Sequence, residues 1–177
     1  MIDEELLAEA VHDTGVRRLQ HSYADVVNRR AWSEMDRLFL PGAPVVIDRR
    51  AGDPLRLVGG GEVGAFIDRA IEQFDFFEFV ILNAHIVFPD GPAAESAVGR
   101  MFMSEIRHER STGRLSQAFG VYHDRYRHEG QGWRFAERHY HSLARLSGDL
   151  EVFPFPRHPG IDVAGAGGPS GAPPADS

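Results

Sequence analysis

Four polar side chains interrupt apolar patterns in ways that permit chemistry: Tyr23, Asn28, His85 and Glu105. At about 100° per residue, Leu19, Tyr23, Val26 and Val27 fall on one helical face, with Asn28 at its margin. A phenol inside such a face either satisfies a core contact or lines a pocket. An amide at position 28 cannot act as a base, but it can donate and accept hydrogen bonds and polarise a carbonyl. With period two, Met101, Met103, Glu105 and Arg107 share one face of a strand. A glutamate turned into an apolar pocket serves as general acid or base. The alternative is an ion pair with Arg107 or another arginine at a rim. His85 shares a strand face with Asn83, while Ala84 and Ile86 take the other. If the first face is concave, His85 supplies an imidazole; otherwise it is a surface residue. His139 and His141 alternate with Tyr140 in a possible metal-ligand spacing, but no third ligand follows, so no metal is expected. No G-x-S-x-G elbow exists for a serine nucleophile.

These residues must be held by a single domain. The chain has 177 residues, is 42% hydrophobic and carries a net charge of −7. One well-buried domain fits that length, expected over residues 1–156. The stretch 157–177, rich in Gly, Pro and Ala, is expected to be flexible. There is no cysteine, which removes disulfides, thiolate metal sites and cysteine nucleophiles. The acidic balance argues against a nucleic-acid partner, and the sequence shows neither a signal-peptide pattern nor a membrane-spanning apolar run. A cytoplasmic location is the expectation.

The first third is helical in pattern. Asp3 is a plausible N-cap for a segment to about His12, Gly15 interrupts it, and a second helix runs from about Val16 to Arg30. Ser33 caps a short helix ending before Pro41. VVID at 45–48 reads as a strand, VGGGEVG at 58–64 as a turn, and AFIDRAIEQF at 65–74 as a helix. GGG is not a phosphate loop, because the lysine of that motif is missing. FEFVILNAHIVF, ESAVGRMFMSEIRHER, LSQAFGVYHDRYRHE and WRFAERHYHSLARL then read as long strands joined by short Gly-containing turns. The expected class is α+β, a strongly curved, mostly antiparallel sheet covered by N-terminal helices. Trp32, Trp133 and the phenylalanines at 74, 76, 77 and 79 read as core, and the cluster also suits a flat apolar ligand.

The pattern L-x-x-x-Y-A-D-x-V-N-R-R-x-W-x-x-x-D-x-L-F at 19–39 resembles the opening helices of the SnoaL-like group. This group lies in the nuclear transport factor 2-like superfamily, with scytalone dehydratase, steroid isomerase, bile-acid dehydratase and polyketide cyclases. NAHI at 83–86, GVYHDRY at 120–126 and GWRFAER at 132–138 agree in order and spacing. The resemblance implies a cone-shaped α+β barrel around a deep apolar pocket, cofactor-independent acid/base chemistry on a small apolar or polycyclic molecule, and a homodimer or homotrimer. In dehydratase-like members a helix tyrosine, an aspartate five residues later and a strand histidine carry the chemistry. Here the tyrosine position is Tyr23, but Asn28 stands at the aspartate position and Phe79 at the histidine position. Glu105 matches an acidic residue of the bile-acid dehydratases. Tyr122 and Asp124 match a Y-x-D pattern implied to bond the pocket wall or a subunit contact. Two competing readings remain: a ligand-binding or partner-stabilising protein with a lost dyad, or the small subunit of an oxygenase.

Overall fold

The computed structural model describes residues 3–91, 95–130 and 132–157; the expected flexible tail falls outside these residues except for Arg157. The elements are α1 (Glu4–Arg29), a 3₁₀ helix (Trp32–Leu38), β1 (Pro44–Asp48), β2 (Leu55–Val58), α2 (Gly59–Ile71), β3 (Phe74–Val87), β4 (Ser96–Glu109), β5 (Leu115–Glu129), β6 (Gly132–Ser147) and β7 (Asp149–Val152). Asp3 caps α1, its carboxylate accepting the Glu5 N–H at 3.0 Å. The helix then runs unbroken through Gly15. A Cβ at that glycine would stand 2.6 Å from the Trp133 ring. Gly15 therefore marks a close approach of helix to sheet rather than an interruption. Ser33 lies inside the 3₁₀ helix, whose N-cap is Ala31 without a side-chain bond.

The glycine triplet is likewise helix, not turn: it forms the first turn of α2. Glu62 accepts the Val58 N–H at 2.8 Å, satisfying the residue that caps this helix. Bare backbone at Gly60 lets α2 lie against the 3₁₀ helix, because a Cβ there would sit 2.4 Å from the Met35 carbonyl oxygen. The Trp32 indole N–H donates to Asp68 at 2.8 Å and fixes the same contact from the other side.

The seven strands form one sheet in the order β2-β1-β6-β5-β4-β3, with β7 also pairing β6. β3 through β6 are an antiparallel meander, and β1 joins β6 in parallel. The architecture is the expected α+β cone. Its sheet is not closed by hydrogen bonds, so it is an open half-cone rather than a barrel. The buried stripe of α1, with Val16, Leu19, Tyr23, Val26 and Val27, packs into its concavity.

Four bulges among the described residues decide which side chains enter that concavity, the first at Asp75, which lets both Phe74 and Phe77 reach it. Each extra residue reverses the alternation beyond it. In β3, Ile81 pairs with Met103 but Asn83 pairs with Phe102, so Leu82 is the extra residue. In β6, Ala136 and Leu143 are extra in the same way.

The close approach at Gly60 is testable by contrast with its neighbour. Alanine normally favours a helix interior over glycine by about 0.5–1 kcal/mol. Gly60→Ala is nonetheless expected to cost about 2 kcal/mol or more in urea denaturation, because backbone must move. Gly61→Ala, which meets only the Asp36 carboxylate at 3.3 Å, is expected to stay within about 1 kcal/mol of the parent protein.

Candidate active site

A cavity of about 540 Å³ opens between α2 and the concave sheet, inside the size range of small-molecule sites. Its apolar wall includes Val27, Val63, Phe66, Ile67, Phe77 and Phe79. Its polar groups include Tyr23, Tyr122, Tyr140, Arg138, Glu105 and Arg107. α2 forms one side like a shutter, while β4, β5 and β6 supply the polar residues in adjacent register. Glu105 lies opposite Ala118, Met101 opposite Tyr122, Tyr122 opposite Tyr140, and Asp124 opposite Arg138.

The floor is built on a buried ion pair. Arg138 and Asp124 are both fully buried (0 % exposed) and meet through two parallel bonds, Nε to Oδ1 and Nη2 to Oδ2, each 2.8 Å. The Tyr126 hydroxyl donates to Asp124 at 2.9 Å, and Gln20 Nε2 donates to the Tyr126 oxygen at 2.7 Å. The Arg138 guanidinium lies 4.3 Å from the Tyr23 ring centre and 4.0 Å from those of Tyr122 and Phe135, at cation–π distance. Its Nη1 is buried with no hydrogen-bond partner. Burial alone would favour a neutral guanidine, but the Asp124 charge outweighs it and holds Arg138 firmly protonated.

Burial pushes every phenol here upward. Tyr23 is raised, with the Arg138 charge and the Tyr122 hydroxyl partly opposing burial. Tyr122 is raised well above the ordinary value by burial and the neighbouring Tyr23, and Tyr140 is pushed to about 12 by burial and the Glu105 charge. All three are hydrogen-bond donors at neutral pH, not bases. Tyr140 fits against β5 because position 120 is glycine; a Cβ there would lie 2.3 Å from the Tyr140 ring.

Glu105 is the carboxylate of the cavity. Its side chain is 16 % exposed and pairs with Arg107, itself 28 % exposed. Arg107 Nε donates to Oε2 at 2.9 Å and Nη2 donates to the same oxygen. Both bonds fall on Oε2, and among the described residues none falls on Oε1, which leaves it available to a ligand. The two alternatives for this residue, cavity acid and arginine partner, thus coexist.

The remaining expected site residues divide. Met101 and Met103 are fully buried beneath the cavity on the same face as Glu105. Tyr122 and Phe79 line it, whereas Asp124 lies below it as the partner of Arg138. Asn83 and His85 face outward and are exposed. Without the Leu82 bulge, the inward series Phe77, Phe79, Ile81 would have continued to Asn83 and His85; the extra residue puts Ala84 and Ile86 inside instead. Asn28 also stands outside the cavity. Its Nδ2 donates to the Phe79 carbonyl at 2.9 Å, and its Oδ1 accepts the Phe79 N–H at 2.7 Å. The amide at the expected aspartate position therefore clamps the backbone of the residue at the expected histidine position. His139 bonds Glu137 at 2.7 Å, and His141 approaches Asp48 at 3.4 Å. Among the described residues no group of three His, Asp or Glu could hold a metal ion.

Arg138 is the functional side chain that reading the sequence missed. Its signal was parity: Arg138, Tyr140 and Tyr122 belong to one face once β5 and β6 are paired.

The SnoaL-like domain model matches residues 9–139, three-quarters of the chain and most of the cavity lining, ending within β6 just before Tyr140. The chain belongs to the SnoaL-like domain family. No curated protein matches its sequence. Solved structures share its fold. A candidate scytalone dehydratase from Novosphingobium aromaticivorans has a TM-score of 0.68 at 14% identity, covering 82% of this chain and 93% of that one. The hexachlorocyclohexane dehydrochlorinase LinA-type3 from Novosphingobium barchaimii has a TM-score of 0.66 at 13% identity, covering 84% and 99%. An NTF2-like protein with a cystatin-like fold, also from Novosphingobium aromaticivorans, has a TM-score of 0.64 at 18% identity, covering 81% and 92%. At these identities the likeness concerns the fold alone. No helix among the described residues is long and apolar enough to cross a membrane.

Two outcomes follow from this geometry. Asn28→Asp keeps the acceptor but loses the donor and sets a carboxylate against the Phe79 carbonyl. It is expected to cost about 1–3 kcal/mol in chemical denaturation. The second concerns all four tyrosines, since Tyr126 is also raised by burial and the Asp124 charge. Because their folded values exceed the ordinary 10.0, the unfolded state releases protons first. Stability is then unaffected below pH 10 and lost as pH rises above it. A spectrophotometric titration is expected to show no tyrosinate through pH 10 in the folded protein, then ionisation together with unfolding.

Proposed function

We propose that this protein is a cofactor-independent acid/base enzyme that moves a proton on a small, flat, largely apolar molecule carrying an oxygen function. The observation that carries this reading is the convergence on one aromatic-walled cavity of a carboxylate with a free oxygen, Glu105, and neutral phenol donors, Tyr23 and Tyr122, backed by the Arg138 charge.

The step this arrangement supports is enolisation. Glu105 Oε1 takes a proton from a carbon beside a carbonyl; the C–H electron pair moves into a C=C bond, and the carbonyl π pair moves onto oxygen. Tyr23 and Tyr122 donate to that developing oxyanion, and the low-dielectric cavity makes their donation worth more than in water. Arg107, holding Oε2, keeps the carboxylate oriented. The enolate then recovers the proton at another carbon, which is isomerisation, or expels a β-hydroxyl that takes the proton from Glu105 and leaves as water, which is dehydration. The chain has no lysine, so Schiff-base activation of the carbonyl is unavailable, and hydrogen bonding must do that work. The dehydratase and dehydrochlorinase names among its structural neighbours are consistent with elimination chemistry in this fold. Association into a homodimer or homotrimer belongs to the same proposal.

Hydrogen–deuterium exchange at the α-carbon tests the proton step without the native substrate. A series of bicyclic and tricyclic ketones related to tetralone is incubated with the protein in D₂O and followed by NMR. Protein-dependent exchange is expected, reduced about a hundredfold or more in Glu105→Gln, the usual scale for losing a general base. His85→Ala is expected to exchange like the parent. Exchange untouched by E105Q would overturn Glu105 as the base, and ketones that bind without exchanging would favour a ligand-binding protein over an enzyme.

A further inference from the structure

The mouth of the cavity differs in charge from the rest of the molecule. Four arginines line the cavity, Arg49, Arg107, Arg138 and Arg145, against one carboxylate, Glu105. Arg138 is neutralised below by Asp124 and Arg107 by Glu105. Arg49 and Arg145 remain as the excess. Arg49 is exposed and forms no ion pair among the described residues. Arg145 is half-buried and holds the Arg49 carbonyl through Nη2. Its Nη1 comes only within 3.9 Å of Glu151, a carboxylate that is 60 % exposed. The protein around them carries a net charge of −7. A cationic entrance on an acidic molecule is a localised field, which low-dielectric walls focus into the cavity.

The presence of Arg145 at this entrance has a structural cause. Ser142 pairs with Gly120 and Ala144 with Phe119, so Leu143 is an extra residue in β6. Beyond it the alternation reverses, and Arg145, opposite Ala118, faces the concave side. The bulged Leu143 carbonyl is satisfied by the Phe153 N–H at 2.8 Å, and the Phe153 ring lies 5.2 Å from the Arg145 guanidinium. The segment after β7 thus supports both the bulge and the side chain that it redirects.

We infer that the natural ligand carries a carboxylate, held at the mouth by Arg49 and Arg145, while its flat apolar body occupies the phenylalanine-lined interior. A planar guanidinium fork matches a carboxylate in two parallel hydrogen bonds. The exposed Arg49, the loosely paired Arg145 and the single occupied carboxylate within leave no comparable site for a cationic ligand. This inference names the ligand class of the cavity described above and rests on that cavity being the functional site, but not on proton transfer taking place there.

Binding measured by calorimetry on the full-length protein separates the possibilities. Naphthalene carboxylate and its neutral isostere, naphthalene carboxamide, are the probes. The acid is expected to bind at least about tenfold more tightly at low salt, the scale of one charge-assisted bond, with the preference shrinking as salt is raised. Arg49→Gln, an exposed substitution with no partner to orphan, is expected to remove most of that preference, and Arg145→Gln to do the same. Arg125→Gln, which removes an equal charge from the outer face where Arg125 pairs with Glu137, should leave it intact. Equal affinity for acid and amide, no binding of either, or a preference that survives in R49Q and R145Q would overturn the inference. E105Q distinguishes the two readings: it is expected to retain the preference for the acid even though it loses proton exchange.

Discussion

Everything around the cavity hangs on one ion pair that water never reaches. Removing a guanidinium and a carboxylate from water is expensive, and only close, complete pairing offsets it. The pairing of Arg138 with Asp124 is bidentate, the remaining Asp124 capacity takes the Tyr126 hydroxyl, and Gln20 of α1 completes the chain of donors. Such a network tolerates little displacement, since a half-satisfied version of it is costly. It therefore fixes the register of β5 against β6 and the depth at which α1 enters the cone. Tyr23 and Tyr122 stand where they do because they pack on the guanidinium so positioned.

The second constraint is the clamp between Asn28 and the Phe79 backbone. Two short bonds tie the end of α1 to β3 at the level of the cavity. The resemblance placed an acid/base dyad at these two positions. In this chain the same two positions act mechanically: the amide holds a strand, and the phenylalanine ring packs at 5.6 Å from Tyr23. The group proposed to move the proton, Glu105, stands one strand further round the wall, on β4 directly opposite Phe79. The fold allows this because adjacent strands present their inward side chains to a common space.

The long strands were legible because short glycine-containing turns punctuate them and their faces alternate. The helical face of Tyr23 was legible for the same periodic reason. What escaped was whatever depends on a single inserted residue. Leu82, Ala136 and Leu143 carry no composition that marks them as bulges, yet each reverses the faces beyond it. That is why His85 read as a candidate and lies outside, and why the sequence did not single out Arg145, which lies at the cavity. Gly15 and Gly60 misled in the opposite sense. Both read as breaks, but their role is to let Trp133 and the Met35 backbone come close, and such contacts exist only in the folded chain. Arg138 was hidden because an arginine in a strand is usually solvated, and its partner Asp124 lies 14 residues away in sequence.

The division of charge between floor and mouth has a consequence for how a ligand is oriented. Arg138 is already committed to Asp124, so the deepest cation offers polarisation but little net attraction for an anion. Arg49 and Arg145, with no comparable internal partner, offer that attraction at the rim. A molecule with one charged end and one flat end is thereby drawn in with the charge outward and the ring toward the phenols. In the proposed reaction such an orientation would bring an oxygen on the ring to Tyr23 and Tyr122 and the neighbouring carbon to Glu105. Under that proposal, binding energy at the mouth is spent on alignment at the reacting carbon, where it would lower the barrier rather than merely tighten the complex.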